Sequence, residues 1–598
     1  MLPLSSKQSS DISFPSRRQI ILLGGLVLVL VLLAFGPSLF GEFISWDDDL
    51  LVFENPVVQA MTPWTLWKIF TMYDPELYIP LTFFSYQINY LIGGMSPFVY
   101  HLTNILLHAG NALLVTGIAY LLLRGNRIAA LLTGLLFAVH PLHTEAVAWI
   151  SARKDILSAF FFLLATFLFL LHEERPSQKK YAGIFIAFLC ALLSKVSAVT
   201  FPVMMFLIVC YRSGKISRQD VKRMIPFFAL SIIFGVIALY GKSGQMGAVH
   251  PLEIFFMAAR SIVFYLQKIV APVSLSIFYP FDAPIAFTTP AIFVSCLILG
   301  ALIVASILLY RRVRWPFLSL LAFGILLAPT FINYRRGFAA QDVYFASDRY
   351  AYLASIIALL MIAALLERGM RRSRGPVLLA TSAIVIVFIT LSFSQSRLWQ
   401  GSIPLFTHAL SLYPTAQTAH NNLGTVYYQK GDLENAEEHY KQAIALRPLA
   451  STWSNLGTLY RKQGKLQESL ISFREAIRTN PGEYDAYFGL GILLSQAGKF
   501  PEAEEAYRRA RILDPHDPGA PLNLGALYVQ QGRYAEAVEQ YLRALQIHPH
   551  YPNAYYNLGV VYRRMGKMEE ARQAFEHALK YRPDMGQAEV QLQEMRIE

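Results

Sequence analysis

The sequence predicts an all-α chain in two parts: a polytopic membrane bundle of about eleven spans within residues 20–396, then an α-solenoid over 397–598. Three observations carry this. Hydrophobic residues make up 55% of the 598 positions and charged residues only 15%, a balance too apolar for one ordinary soluble domain. Apolar runs long enough to cross a bilayer recur from residue 20 to about residue 395 and then stop. After residue 414 the sequence repeats with a period of 34, which marks stacked helical units.

The first apolar run, from Ile20 to about Phe40, follows Arg17 and Arg18. No small-residue cleavage site stands after it, so it reads as a retained anchor preceded by a cytoplasmic tail, residues 1–19. The net charge of +12 could suggest a nucleic-acid partner, but from Arg397 onward 22 basic residues balance 22 acidic ones. The excess therefore lies in the membrane half. It clusters in short loops at Arg124 and Arg127, at Arg175, Lys179 and Lys180, over Arg212–Arg223, at Arg311, Arg312 and Arg314, and over Arg368–Arg374. Loops of this kind face the cytoplasm, so the basicity reports topology and no nucleic-acid partner is implied.

With those loops inside, spans fall near 20–40, 98–123, 128–148, 155–171, 181–197, 199–211, 225–241, 290–310, 315–333, 350–366 and 376–395. Their odd number puts the N-terminus in the cytoplasm and the repeats outside a cytoplasmic (inner) membrane that the chain crosses many times. Leu252–Tyr279 contains Arg260, Gln267 and Lys268 and reads as an interfacial or re-entrant piece. Two external loops, Gly41 to about Pro97 and Asn333–Arg349, are longer than connectors need to be and rich in aromatic residues, which favours function over disorder. Cys190, Cys210 and Cys296 all lie in apolar segments, so no disulfide framework is expected.

In the repeats, Gly424, Gly457, Gly491, Gly525 and Gly559 each follow a Leu, with Ala443, Ala476, Ala510, Ala544 and Ala578 and a Pro later in each unit. This is the tetratricopeptide pattern, five units over about 415–583 with a capping helix from Met585. Asn422, Asn455, Asn523 and Asn557 stand two residues before four of those glycines, and the third unit has Gly489 instead. Such a ladder resembles one that holds an extended acceptor peptide, since an amide both donates to and accepts from backbone. The alternative is that each Asn satisfies a local turn.

Ionisable groups beside spans are costly, and those expected on the outer side form a small set. Asp47, Asp48 and Asp49 follow the first span, where mutual repulsion and partial desolvation favour a raised pKa for at least one, as suits a general base. His140, His143, Glu145, Arg153 and Asp155 follow in "VHPLHTEAVAWISARKD", then Lys195 in "LLSKVSAVTFP" and Asp348, Arg349 and Tyr350 in "ASDRYAYLAS". Acidic and basic groups on one face fit a substrate with an anionic phosphate and a hydroxyl to be deprotonated. Singly, each has a plainer reading as a snorkelling cation or a helix cap. The spacing of His140, His143 and Glu145 is no recognised zinc motif, and no cofactor is expected. The chain has no Walker loop or nucleophile elbow.

The "WDD" after the first span, "YIPLTFFSYQINYLIGG", "VHPLHTEAVAWISARKDILSAFFFLL", "LLSKVSAVTFP" and "SDRYAYL", followed by tetratricopeptides, resemble the transmembrane and tetratricopeptide-repeat O-mannosyltransferases and their prokaryotic relatives, within the C-type glycosyltransferase superfamily. The resemblance covers essentially the whole chain. It implies inverting transfer of mannose or a similar hexose from a polyprenyl-phosphate carrier to a Ser or Thr hydroxyl of a protein on the outer face. It places the base at Asp47 and Asp48, with Arg349, Lys195 and Arg153 to meet the donor phosphate. His140, His143, Glu145, Asp155, Asp348 and Tyr350 remain further site candidates. Relatives commonly have an acidic residue after the Lys of "LSK", where this chain has Val196. A non-catalytic membrane scaffold for an envelope complex is the alternative.

Overall fold

The computed structural model describes residues 16–73, 77–241, 250–331 and 344–597, and they form two compact units, Met1–Asn422 and Leu423–Glu598. Residues 1–15 of the expected cytoplasmic tail and most of the expected loop Asn333–Arg349 lie outside the described residues.

In the first unit α1 (Arg17–Phe35) opens on a Ser16 capping box with Gln19, an arrangement that satisfies two end donors at once. The described residues between 41 and 97 include two short helices, α2 (Pro63–Thr71) and α3 (Pro80–Gly93). The bundle continues through α4 (Pro97–Leu122), α5 (Arg127–Val139), α6 (Thr144–Ala148), α7 (Arg153–Glu174), α8 (Gln178–Ser194), α9 (Phe201–Ser213) and α10 (Arg218–Gly241). After α11 (Pro251–Val270) come α12 (Pro290–Tyr310), α13 (Trp315–Leu327), α14 (Ser355–Arg372), α15 (Arg374–Leu398) and α16 (Ser402–Leu412). Pro stands in the first turn of α2, α3, α4, α11, α12 and α13, where its missing N–H costs nothing.

Each of the eleven apolar runs forms helix, but among the described residues seven stretches are long and apolar enough to cross a membrane, or eight if the bent pair α5 and α6 is one span. The eleven expected runs and these seven or eight full-length spans differ because some runs are short or charged as helices. Hydropathy registers runs, whereas α8 has 17 residues, α13 has 13, and α14 carries Glu367, Arg368, Arg371 and Arg372 in its last turns, against the ~20 apolar residues a bilayer asks for. The spans make this unit a membrane domain.

The loops that hold the positive excess meet at one end of the bundle. Arg212 after α9 reaches the Leu121 carbonyl of α4 and Glu174 of α7, Arg223 pairs with Glu173 at 2.6 Å, and the Arg314 guanidinium packs on Gly214. The Asp47 loop, the start of α7, Lys195 and the 348–351 turn lie at the other ends of the same helices.

The second unit is a stack of helix pairs, α17 (Gln417–Gln429) and α18 (Leu433–Leu446), α19 (Ala450–Lys462) and α20 (Leu466–Thr479), α21 (Tyr484–Gln496) and α22 (Phe500–Leu513), α23 (Gly519–Gln530) and α24 (Tyr534–Ile547), α25 (Pro552–Arg564) and α26 (Met568–Tyr581), closed by α27 (Gly586–Ile597). The repeated glycine of each first helix faces an aromatic ring of the second. A Cβ at Gly525 would stand 2.7 Å from Tyr541, and one at Gly457 would stand 2.9 Å from Phe473, so only glycine permits that approach.

Candidate active site

The site begins where helices break. Pro141 cannot continue α5, and the chain bends by 52° into α6. The break strands the last carbonyls of α5 at membrane depth, where no water can satisfy them. His143 Nδ1 donates to Phe137 O at 2.9 Å, His108 Nε2 faces Ala138 O at 3.2 Å, and the Ser392 hydroxyl donates to Val139 O at 2.8 Å. The remaining nitrogen of His143 meets Ser355 at 2.9 Å, and His140 is held by Ile269 O and the Leu142 N–H. His140 and His143 are therefore corrected from site candidates to supports of a broken helix. Among the described residues, no group of three or more His, Cys, Asp or Glu is placed to hold a metal.

Beyond the break, Trp149 and the turn Ile150–Ala152 lead into α7. Here Asp48 docks: its carboxylate accepts from Ile44 N at 2.8 Å, Ser151 N at 2.9 Å and the Ser151 hydroxyl at 2.5 Å, and it is fully buried. Asp47, half exposed, is left at the surface with the Lys154 ammonium 3.7 Å away. The two adjacent carboxylates thus do different work. Asp48 is tied into the loop by three hydrogen bonds, and Asp47 is the more exposed of the two.

Trp149 is the hub of the site. The Trp46 ring stacks on it at 4.8 Å and 6°, the Lys154 ammonium lies 5.5 Å from its centroid, and the Arg349 guanidinium 4.9 Å. Arg349 also lies over Tyr350 at 5.0 Å, and Lys195 approaches the same ring at 5.7 Å while pairing with Asp155 at 2.5 Å. Asp47, Lys154, Trp149, Arg349, Tyr350, Lys195 and Asp155 thus form one contiguous and largely buried network of alternating charge around two aromatic rings, with Asp47 its most exposed charged member. Glu145 aims Arg349: it accepts from the Arg349 backbone N–H at 3.0 Å, from Nη1 and from the Ser347 hydroxyl at 2.7 Å. Burial alone would lower the Arg349 pKa, but Glu145, Tyr350, Asp155 and Asp47 outweigh it and raise it, so the guanidinium stays charged. Among the described residues its Nε is buried with no partner, a donor available to an anion.

Arg153, expected among the phosphate-binding cations, is corrected. It is fully buried, with Nε on Asn104, Nη1 on Asn89 at 2.9 Å and Nη2 on Tyr100 O at 2.7 Å. Arg153→Met is expected to destabilise the membrane unit by about 2–3 kcal/mol, because those acceptors are left unpaired, read as a lower melting temperature in detergent. Asp348 is buried and accepts from Tyr279 at 2.7 Å, lining a small cavity with Glu145 and His408, and burial with the Glu145 charge raises its pKa. Lys154, Trp149 and Trp46 are the residues that sequence reasoning missed. Lys154 stands between two residues that were named, and only the rotation of α7 decides which of two buried cations, Arg153 or Lys154, turns toward Asp47.

Burial pushes the Asp48 carboxyl from 3.8 up to about 7, against the pull of its Ser151 and Ile44 donors. Between those values the folded chain keeps a proton that the unfolded chain has released, so stability from this group falls as pH rises through that window. The melting temperature of the wild type relative to Asp48→Asn is expected to decline across it, measured by thermal unfolding at stepped pH.

Comparison with known proteins finds sequence relatives and helical-repeat neighbours. Protein O-mannosyl-transferase F38B6.6 of Caenorhabditis elegans is 24% identical over 454 residues, 71% of this chain. The chain is similar in sequence to several protein O-mannosyl-transferases. It is 39% identical over 143 residues to TMTC1 of Mus musculus and 37% over 172 to TMTC4 of Homo sapiens. It spans 63%, 15% and 23% of the lengths of these three relatives, respectively. The family model for the C-terminal domain of cilia and flagella-associated protein 70 matches residues 407–598. Among solved structures, YrrB, a TPR protein with an unusual peptide-binding site, is 24% identical over 31% of this chain and 95% of its own, with TM-score 0.26. Pseudomonas aeruginosa PilF is 19% identical over 34% of this chain and 89% of its own, with TM-score 0.29.

Proposed function

We propose that the chain is an inverting glycosyltransferase that moves mannose or a similar hexose from a polyprenyl-phosphate carrier to a Ser or Thr hydroxyl of a protein on the outer face of the membrane. The observation that carries this is one accessible carboxylate, Asp47, beside three cations, Lys154, Arg349 and Lys195, on one aromatic floor. The names of the relatives support the reaction class and mannose. The acceptor oxygen attacks the anomeric carbon on the face away from the phosphate and gives its proton to Asp47. The bond from that carbon to the phosphate oxygen breaks, and its electron pair leaves on the phosphate. Arg349 offers its free Nε and stacked plane to the growing charge, with Lys154 and Lys195 beside it.

The repeats recruit the acceptor polypeptide through Asn422, Asn455, Asn523 and Asn557. All four side chains are half-buried, and Asn523 spends one donor on Gly519 O at 3.0 Å. An Asn455, Asn523 and Asn557 triple alanine variant is expected to bind acceptor peptide about tenfold more weakly, measured by fluorescence anisotropy; unchanged affinity would remove the ladder from the mechanism.

The test of the reaction is transfer of radiolabelled sugar from polyprenyl-phosphate-mannose, and in parallel -glucose, to membrane protein. Label above that of membranes lacking the chain is expected. No label with either donor would make the non-catalytic scaffold the better reading.

A further inference from the structure

The first external loop carries a surface that neither the reaction nor the bundle core uses. Helix α2 is amphipathic: Thr65 and Ile69 are buried, while Trp64 (44% exposed), Trp67 (63%) and Phe70 (46%) form one outward stripe at spacings of three. Lys68 lies beside it, its ammonium 5.1 Å from the Trp64 ring. Two large indoles facing water side by side are rare on a soluble surface.

The height of this stripe along the bundle is fixed by contacts to a span. Just after α2, the Tyr73 hydroxyl donates to Ile237 O at 3.1 Å in the last turn of α10, and the Tyr73 ring meets Tyr240 at 6.1 Å. The Tyr78 hydroxyl donates to Phe70 O at 3.1 Å, and the Tyr78 ring meets Phe234 of α10. Helix α10 exposes Ile232, Ile233, Val236, Leu239 and Tyr240 as the outer end of a membrane-crossing helix. The aromatic stripe is thus continuous with a surface already facing lipid, at the level where that helix leaves the apolar layer.

We infer that α2 is an interfacial helix, with Trp64, Trp67 and Phe70 seated in the headgroup and upper acyl region of the outer leaflet and Lys68 reaching lipid phosphates. The partner is the lipid surface itself. Indole and phenyl rings prefer this boundary, and a lysine stem snorkels out of it. The contact bears on the active site, because Ile69 packs in the same cluster as Leu51 and Val52, just after Asp48. Bilayer contact therefore sets the height of the Asp47 loop against the membrane. That consequence rests on the proposed reaction; the contact itself does not.

The test places an environment-sensitive dye on Trp67→Cys, and separately on Trp64→Cys, in the full chain with Cys190, Cys210 and Cys296 changed to Ser, one copy per nanodisc. A nitroxide near the top of the acyl chain is expected to remove roughly half of the emission, with little quenching by aqueous iodide. Quenching by iodide alone would place the stripe in water and overturn the inference. Shielding from both quenchers would place protein over it and overturn it equally. Both substitutions are on exposed positions, and the readout is independent of transfer, so an inactive chain tests the contact as well as an active one.

Discussion

Asp47→Asn is expected to lower sugar transfer by about 10^3-fold, the usual worth of a positioned general base, while leaving the protein folded. Asn keeps the shape and loses only the ability to take the hydroxyl proton, and Asp47 is half exposed with a single ion-pair partner at 3.7 Å, so little packing depends on it. Asp48→Asn makes the contrast. Its carboxylate accepts three hydrogen bonds in full burial, so its loss is expected to lower the melting temperature first and activity through it. The measurement is initial rate of transfer per folded molecule. If Asp48→Asn abolishes transfer in well-folded protein while Asp47→Asn retains it, the roles assigned to the two are reversed.

Arg349→Ala is expected to cost about 10^2 to 10^3-fold in kcat, as for removal of one preorganised donor from a developing anion. Arg349→Lys is expected to recover little of this. An ammonium keeps the charge but not the planar fork, which here lies over both Trp149 and Tyr350 and is aimed by Glu145 through the backbone and Nη1. Lys195→Met is the comparison within the same surface: Lys195 is engaged by Asp155 at 2.5 Å, so its loss is expected to be the milder of the two. Equal losses for the two would mean that net charge, and not the placing of one guanidinium, meets the phosphate.

Much of the molecule was legible in the chain itself, for identifiable reasons. The repeat period needs no tertiary information: each Gly meets a ring on the partner helix, so the spacing of Gly424, Gly457, Gly491, Gly525 and Gly559 is the spacing of the fold. Apolar runs are helices because a bilayer leaves backbone groups no other partner. Asp47, Lys195, Asp155, Arg349 and Tyr350 were legible as polar groups beside apolar runs, and the structure links them through Lys154, Trp149 and Tyr350.

The sequence by itself thus determined composition, periodicity and the loops on which charge could sit. Only the tertiary structure decided which charge faces where. Arg153 and Lys154 are adjacent and alike on paper, yet a helical turn of about 100° per residue buries one against Asn104, Asn89 and Tyr100 and leaves the other beside Asp47. The same holds for Asp47 against Asp48, and for His140 and His143, whose hydrogen bonds go to Ile269 O and Phe137 O. Periodicity is a local property that the chain carries along its length. The phase of a helix at a break, and the carbonyls that break leaves to be satisfied, exist only once the segments pack.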